Sequence, residues 1–376
     1  MIRLDAVGKT YPNGAVAVGE LTLDIPRDEI VILIGPSGCG KTTTLQMINR
    51  LVEPTSGRIF LDGNDVTDAD PVDLRRRMGY VIQQVGLFPH QTIATNVGTV
   101  PRLLGWKKDL ISTRVDELLE LVGLDPSVYR HRYPAQLSGG QRQRVGVARA
   151  LAADPAVLLM DEPFGAIDPV TRERLQDEFL RLQQEVHKTI VFVTHDIEEA
   201  VKIGDRIALL DVGGVLEQYD TPAHILGHPA SHMVADFVGA DRALKRLRVT
   251  EIDPGLLEHP PVVPPDATLA EARDAMKRDD AALVAVVDEN GVLGGVVTAD
   301  DCLGDGVVAS RMRDAEATVP LNGKLQDAMA NVLLTHAGWV AVVDGARFVG
   351  ALTPESVFES LRASMDLGDS ALPDEQ

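Results

Sequence analysis

At 376 residues the chain exceeds one ordinary core and predicts two or three domains. Its composition, 45% hydrophobic and 24% charged, is globular, and no apolar run approaches the roughly eighteen residues of a membrane-spanning helix. The net charge of −20 argues against nucleic acid or anionic lipid as the main partner, so any work at a membrane must run through another protein.

The start of the chain, Met-Ile-Arg-Leu-Asp, leads into no long apolar stretch, and a secretory signal is not expected. Residues 2–7, 21–25, 30–34 and 58–61 read as short strands separated by turn signals. The third of these, Ile-Val-Ile-Leu-Ile, is apolar throughout, as in a strand buried on both faces of a parallel sheet. A glycine-rich loop follows it, then a helix expected over 41–51 that stops before Pro54.

From about 86 to 155 the pattern is mostly helical, with helices at 110–122 and 141–152. Residues 157–160 are again a wholly apolar strand, and 190–194 are a third strand. Strands alternating with helices predict a doubly wound α/β core interrupted by a helical insertion, behind an N-terminal β subdomain. Cys39 and Cys302 have no metal-ligand spacing, and a reduced compartment fits them.

Composition shifts near residue 240. Residues 1–240 carry 24 basic and 32 acidic side chains, and residues 241–376 carry 12 and 24. After a linker at 241–252 comes a weak repeat of about fifty residues, expected as units 253–305 and 306–364. In the first, helix 269–277 precedes strands 283–288 and 293–298 and a short helix start. In the second, helix 325–334 precedes strands 339–344 and 348–353. The segments Gly295–Thr298 and Gly350–Thr353 fall at matching places. The acidic end, 365–376, is expected to be disordered.

Gly35-Pro36-Ser37-Gly38-Cys39-Gly40-Lys41-Thr42 fits the phosphate-loop pattern and lies between a buried strand and a helix, with Thr43 behind it. Glycines let successive backbone N–H groups wrap round phosphates, and the helix N-terminus adds its dipole. Lys41 is the point charge for the β- and γ-phosphates, and Thr42 offers a hydroxyl to Mg²⁺. Residues 157–160 run into Asp161-Glu162. The first carboxylate suits the surroundings of Mg²⁺, and the second can polarise a water in line with the γ-phosphate. His195 and Gln83 each follow an apolar strand, where a γ-phosphate sensor and a metal-reaching amide would sit.

Leu137-Ser138-Gly139-Gly140-Gln141 closely resembles the signature of ABC ATPases. The phosphate loop, Gln83, the signature, Asp161-Glu162, Asp168 and His195 occur in that family's order over about 240 residues. The resemblance implies an ATP- and Mg²⁺-dependent ATPase. Tyr11 would stack on adenine, Gln83 would join the metal and signal to a membrane partner, Glu162 would be the catalytic carboxylate, and His195 the γ-phosphate switch. Ser138 to Gln141 would complete the ATP site of a second copy, because a Ser-Gly-Gly helix start is an anion site that the insertion carries away from its own loop. Gly165-Ala-Ile167-Asp168 departs mildly from the family pattern, and Asp168 is expected to touch the partner copy.

Residues 35–57, 75–90 and 161–172 resemble the ATPase subunits of bacterial importers for glycine betaine, choline, carnitine or proline, and the C-terminal repeat resembles a tandem CBS pair. That likeness implies a homodimer, two integral-membrane permease subunits, an extracytoplasmic solute-binding protein and a place on the cytoplasmic face of the inner membrane, with no nucleic acid. Importers for another solute, and soluble ABC ATPases of DNA repair or translation, are the alternatives. The CBS pair is either a sensor, of ionic strength or of an adenine nucleotide, or a dimerisation module without a ligand. For a nucleotide, Thr298 and Asp301 are the candidate contacts, and Ser356 replaces the acid in the second repeat, so at most one intact site is expected.

Overall fold

Ile30–Ile34 forms a strand in which every residue is buried, and the rest of the ATPase half is arranged round it. The computed structural model describes residues 1–82, 86–165, 167–335 and 338–366. They fall into two compact units, 1–225 with 229–240, and 226–228 with 241 onwards.

In the first unit the strands are β1 (Ile2–Thr10), β2 (Val16–Ile25), β3 (Ile30–Ile34), β4 (Ser56–Leu61), β5 (Asn64–Asp65), β6 (Met78–Val81), β7 (Val157–Asp161), β8 (Thr189–Val193), β9 (Arg206–Asp211) and β10 (Val215–Asp220). Six of them make a sheet in the order β10-β9-β3-β8-β7-β6. All its pairs are parallel except β9 with β10. Burial on both faces explains why β3 reads as an unbroken apolar run, and β8 as one after Thr189. The second sheet, β2-β1-β4-β5, is antiparallel. Its Ile2, Leu4, Leu21 and Leu23 share a core with Leu45 and Ile48 of helix Lys41–Ile48 and with Leu159 and Val191 of the large sheet.

Between β6 and β7 the described chain is helical, with segments Ile93–Val97, Thr99–Leu103, Lys108–Leu121, Pro126–Tyr129 and Gly139–Leu151. The helix after the glycine loop ends at Ile48 rather than at residue 51. Arg50 takes a left-handed φ of 50°, which breaks the helical path.

In the second unit the strands are β11 (Val262–Val263), β12 (Leu283–Val287), β13 (Leu293–Thr298), β14 (Thr318–Pro320), β15 (Val340–Asp344) and β16 (Arg347–Leu352). They form two three-stranded sheets of identical plan, parallel β11–β12 then antiparallel β12–β13, and parallel β14–β15 then antiparallel β15–β16. Helices Leu269–Arg278 and Leu325–Leu334 sit at matching positions. The copies differ after their last strand. The second continues into helix Pro354–Asp366, whereas the first makes turns, because Gly304 and Gly306 at φ 88° and 148° interrupt the segment that would coil.

The stretch 241–252 is not an open connector. Arg242–Leu247 is helical, and Leu247, Ile252 and Leu257 bury against Val319, Leu325 and Leu352 of the second copy. Backbone bonds from Ile252 to Gly323 and from Leu325 to Thr250 fix it there.

Candidate functional site

The loop between β3 and helix Lys41–Ile48 owes its shape to glycine. Gly35, Gly38 and Gly40 have φ of 150°, 83° and 92°. A Cβ on Gly35 would lie 2.0 Å from Leu210 O, and one on Gly40 would lie 2.5 Å from Ala17 O. A Cβ on Gly38 would meet nothing within 4 Å, so that glycine faces open space. The helix carries no side-chain cap and no acid in its first turn, which leaves its first N–H groups for an anion.

Lys41 is curled back over the loop. Its ammonium donates to Gly35 O at 2.7 Å and Pro36 O at 3.0 Å, and contacts Cys39 Sγ at 3.5 Å. The Cys39 side chain is wholly buried in the core, so this residue serves the loop through its backbone.

β7 delivers Asp161 beside the loop, where Thr42 Oγ1 donates to Asp161 Oδ1 at 3.0 Å. Burial raises the Asp161 pKa, and the Thr42 bond only partly offsets it. Both oxygens belong to the class that holds Mg²⁺, so this donor set fits that ion. Glu162 sits at φ 44°, and its N–H donates to Val193 O at 3.0 Å, which turns its side chain out of the strand path. His195, two residues beyond β8, places Nδ1 3.1 Å from Glu162 Oε1. One open cleft is lined by Ser37, Gly38, Gly40, Lys41, Thr42, Thr43, Glu162 and His195, together with Ala17 of β2.

The remaining candidates lie elsewhere. Tyr11 follows β1, is 36% exposed, and has the Lys9 ammonium 5.4 Å above its ring; it does not line the cleft. Ser138, Gly139, Gly140 and Gln141 also stand outside that wall. Ser138 caps helix Gly139–Leu151: its Oγ accepts from Gln141 N–H at 3.2 Å, while Gln141 Oε1 accepts from Ser138 N–H at 2.9 Å. Asp168 caps helix Pro169–Val186 by accepting from Thr171 N–H at 3.0 Å, a bond that lowers its pKa. Gln83 lies outside the described residues, as does nearly all of the expected tail.

In the second unit Asp301 Oδ2 accepts from both N–H and Oγ1 of Thr298, at 3.0 and 2.8 Å, and Arg313 pairs with the other carboxylate oxygen. In the second copy Ser356 Oγ accepts from Thr353 N–H at 2.8 Å, and the Thr353 hydroxyl donates to Glu258. The two bonds that Asp301 accepts in the first copy are thus divided in the second between Ser356 and a carboxylate from the segment ahead of β11.

Sequence patterns give no sign of Ala17, which reaches the cleft only because β2 crosses above the loop. Nor do they single out Arg172, Gln176 and Glu199, which gather behind His195. All three look like ordinary helix-surface residues until the helices are packed.

A mostly parallel sheet with a phosphate loop at its centre, a Thr–Asp pair beside it, and a Glu–His pair on the wall of its cleft defines an ATPase of the ATP-binding cassette class. A family profile described as ABC transporter matches residues 18–165, and one described as CBS domain matches residues 249–305. The choline transport ATP-binding protein OpuBA of Bacillus subtilis (strain 168) is 45% identical over 372 residues, 97% of each chain. The glycine betaine/carnitine/choline transport ATP-binding protein OpuCA of the same organism is 46% identical over 349 residues, 92% of this chain and 91% of that one. Among solved structures, the dimeric MJ0796 ABC transporter cassette is 38% identical with a TM-score of 0.53, covering 59% of this chain and 98% of that one. The chain belongs to the family of ABC transporter ATP-binding proteins that includes OpuBA and OpuCA. Among the described residues, no helix is long and apolar enough to cross a membrane.

Proposed function

We propose that this chain is the ATP-hydrolysing subunit that powers import of quaternary-amine osmoprotectants (glycine betaine, choline, carnitine or proline). The substrate class follows the relatives, whose names specify choline, or glycine betaine, carnitine and choline, at 45% and 46% identity over nearly the whole chain. Bound Mg²⁺ would supply neutralisation of the phosphate charge. Lys41 and the uncapped helix N-terminus bind phosphate, Thr42 and Asp161 hold the ion with Gln83, and Glu162 orients and deprotonates the attacking water. His195 holds the γ-phosphate end of the site, and Tyr11 stacks on the base.

Ser138, Gly139, Gly140 and Gln141 serve the loop of a second copy, so the working unit is a homodimer with two nucleotides between the chains. The dimer acts on two membrane permease subunits at the cytoplasmic face of the inner membrane, with an extracytoplasmic binding protein delivering solute. The CBS unit is regulatory, and Thr298 with Asp301 is its candidate adenine-nucleotide contact.

The observation that carries the ATPase reading is the Glu162–His195 pair, 3.1 Å apart on the wall of the phosphate-loop cleft. Uptake of labelled choline and glycine betaine by cells dependent on this chain, with and without Glu162→Gln, tests the whole. Uptake of neither solute, with ATPase activity intact, would move the assignment to an importer for another small solute.

A further inference from the structure

Beyond the cleft itself, the loop that presents His195 is held from behind by one helix, and this arrangement rests on the ATPase reading above. Thr194 and Asp196 flank the histidine. Asp196 N–H donates to Thr194 Oγ1 at 3.0 Å, and Asp196 Oδ1 accepts from the N–H groups of Glu198 and Glu199, capping helix Ile197–Ile203. Its other oxygen, Oδ2, lies 3.5 Å from the Arg172 guanidinium.

Arg172 stands in the first turn of helix Pro169–Val186. A second nitrogen of its fork donates to Ile167 O at 3.1 Å, in the loop that ends at Asp168. One turn further along, Gln176 Nε2 donates to the buried carboxylate of Glu199 at 3.1 Å, and the Glu199 N–H is one of the two that Asp196 caps. Residues four apart share one helix face. That face therefore grips the His195 loop twice, through Asp196 and through Glu199, while Arg172 also holds the loop leading into its own helix.

The imidazole is 66% exposed and meets Glu162, so its position depends on that contact and on the backbone on either side more than on packing of the ring. We propose that Arg172 is a positioning residue for hydrolysis: its fork fixes the Ile167–Asp168 loop and the His195 loop in one register. A planar guanidinium aims separate nitrogens at two acceptors in a rigid fork, a geometry that a lysine ammonium, a single point of charge, does not reproduce.

The test uses the full chain, with steady-state ATP hydrolysis and thermal unfolding measured on the same samples. Arg172→Ala is expected to lower kcat about ten- to a hundredfold while KM for ATP changes less than about twofold, the pattern of a displaced catalytic group rather than lost binding. Arg172→Lys should recover part of the rate, since it keeps the charge opposite Asp196. Asp196→Asn retains the helix cap but removes the charge. Alone it should lower kcat, and in the Arg172→Ala background it should add no further loss.

Wild-type kcat in Arg172→Ala, additive losses in the double variant, or a rate loss matched by an equal fall in Tm across all three variants would each overturn the proposal. Glu162→Gln separates the two levels. If it is inert while the Arg172 variants are unimpaired, the positioning role fails and the ATPase reading stands. If it hydrolyses ATP normally, Glu162 leaves the chemistry, and if the wild-type chain hydrolyses no ATP, the ATPase reading itself fails.

Discussion

His195 Nδ1 lies 3.1 Å from Glu162 Oε1, and both residues line the phosphate-loop cleft. They arrive from adjacent parallel strands, β7 and β8, whose register pairs Asp161 with Val193. Glu162 leaves its strand at φ 44°, a left-handed turn that non-glycine residues adopt at a cost of about 1–3 kcal/mol and that recurs at active sites. Glu162→Gln keeps the size and the backbone turn but removes the base. ATP hydrolysis should fall roughly 10²–10⁴-fold with nucleotide binding retained, as phosphate-release and filter-binding assays would register. Near-normal turnover would remove Glu162 from the chemistry.

The signature Ser138–Gln141 is pre-formed as a capped helix start yet contributes nothing to the cleft of its own chain. If two chains complete each other's sites, Lys41→Ala and Ser138→Arg should each abolish hydrolysis, and mixing the two proteins should restore part of it. Mixed dimers would contain one undamaged loop facing one undamaged signature. Losing the Ser138 cap costs only about 1 kcal/mol, so the second variant should still fold. No recovery on mixing, with dimers present by light scattering, would show that each chain works alone.

Much of this site was legible in the sequence because phosphate chemistry is local. Gly35 to Thr42 is contiguous, and the apolar runs ahead of Gly35, Asp161 and His195 announce three buried parallel strands whose ends converge. The duplicated second unit was legible for the same reason, since β12–β13 and β15–β16 recur with matching helices ahead of them. What the sequence hid is what packing creates. Ala17 belongs to the cleft only through the crossing of β2 over Gly40. The role of 241–252 depends on Leu247 and Ile252 finding a pocket in the second copy rather than the first. Glu258 accepts from Thr353 across nearly a hundred residues of chain, a pairing that no local pattern around Ser356 announces.

Two glycines of the loop should separate stability from binding. Gly40→Ala drives a Cβ to 2.5 Å from Ala17 O at φ 92°, so backbone must shift, and a loss of about 1–3 kcal/mol is expected with a lower Tm. Gly38→Ala faces open space at φ 83° and should cost only about 1–2 kcal/mol of left-handed strain. Its methyl occupies the phosphate side of the cleft, so ATP affinity should fall more than stability does. Equal behaviour of the two variants in calorimetry and nucleotide titration would contradict this division.

Asp301 offers a pH test confined to the second unit. Burial alone would raise its pKa, but bonds from Thr298 and Arg313 outweigh that and lower it below the usual 3.8. A carboxylate whose pKa is lower folded than unfolded stabilises the fold above the unfolded value, and the contribution is lost as pH falls through the folded one. Asp301→Ala leaves the Thr298 N–H and hydroxyl without their acceptor, which should cost about 1–2 kcal/mol near neutral pH. Arg313 adds little, because its side chain is 68% exposed and water screens the pair. Hydrogen exchange of the β12 and β13 amides should therefore show lower protection in the variant at pH 7. The gap should narrow once pH drops below the usual 3.8, where the wild-type carboxylate begins to take up its proton. A gap independent of pH would mean that Asp301 acts through packing alone and that its charge contributes nothing to the fold.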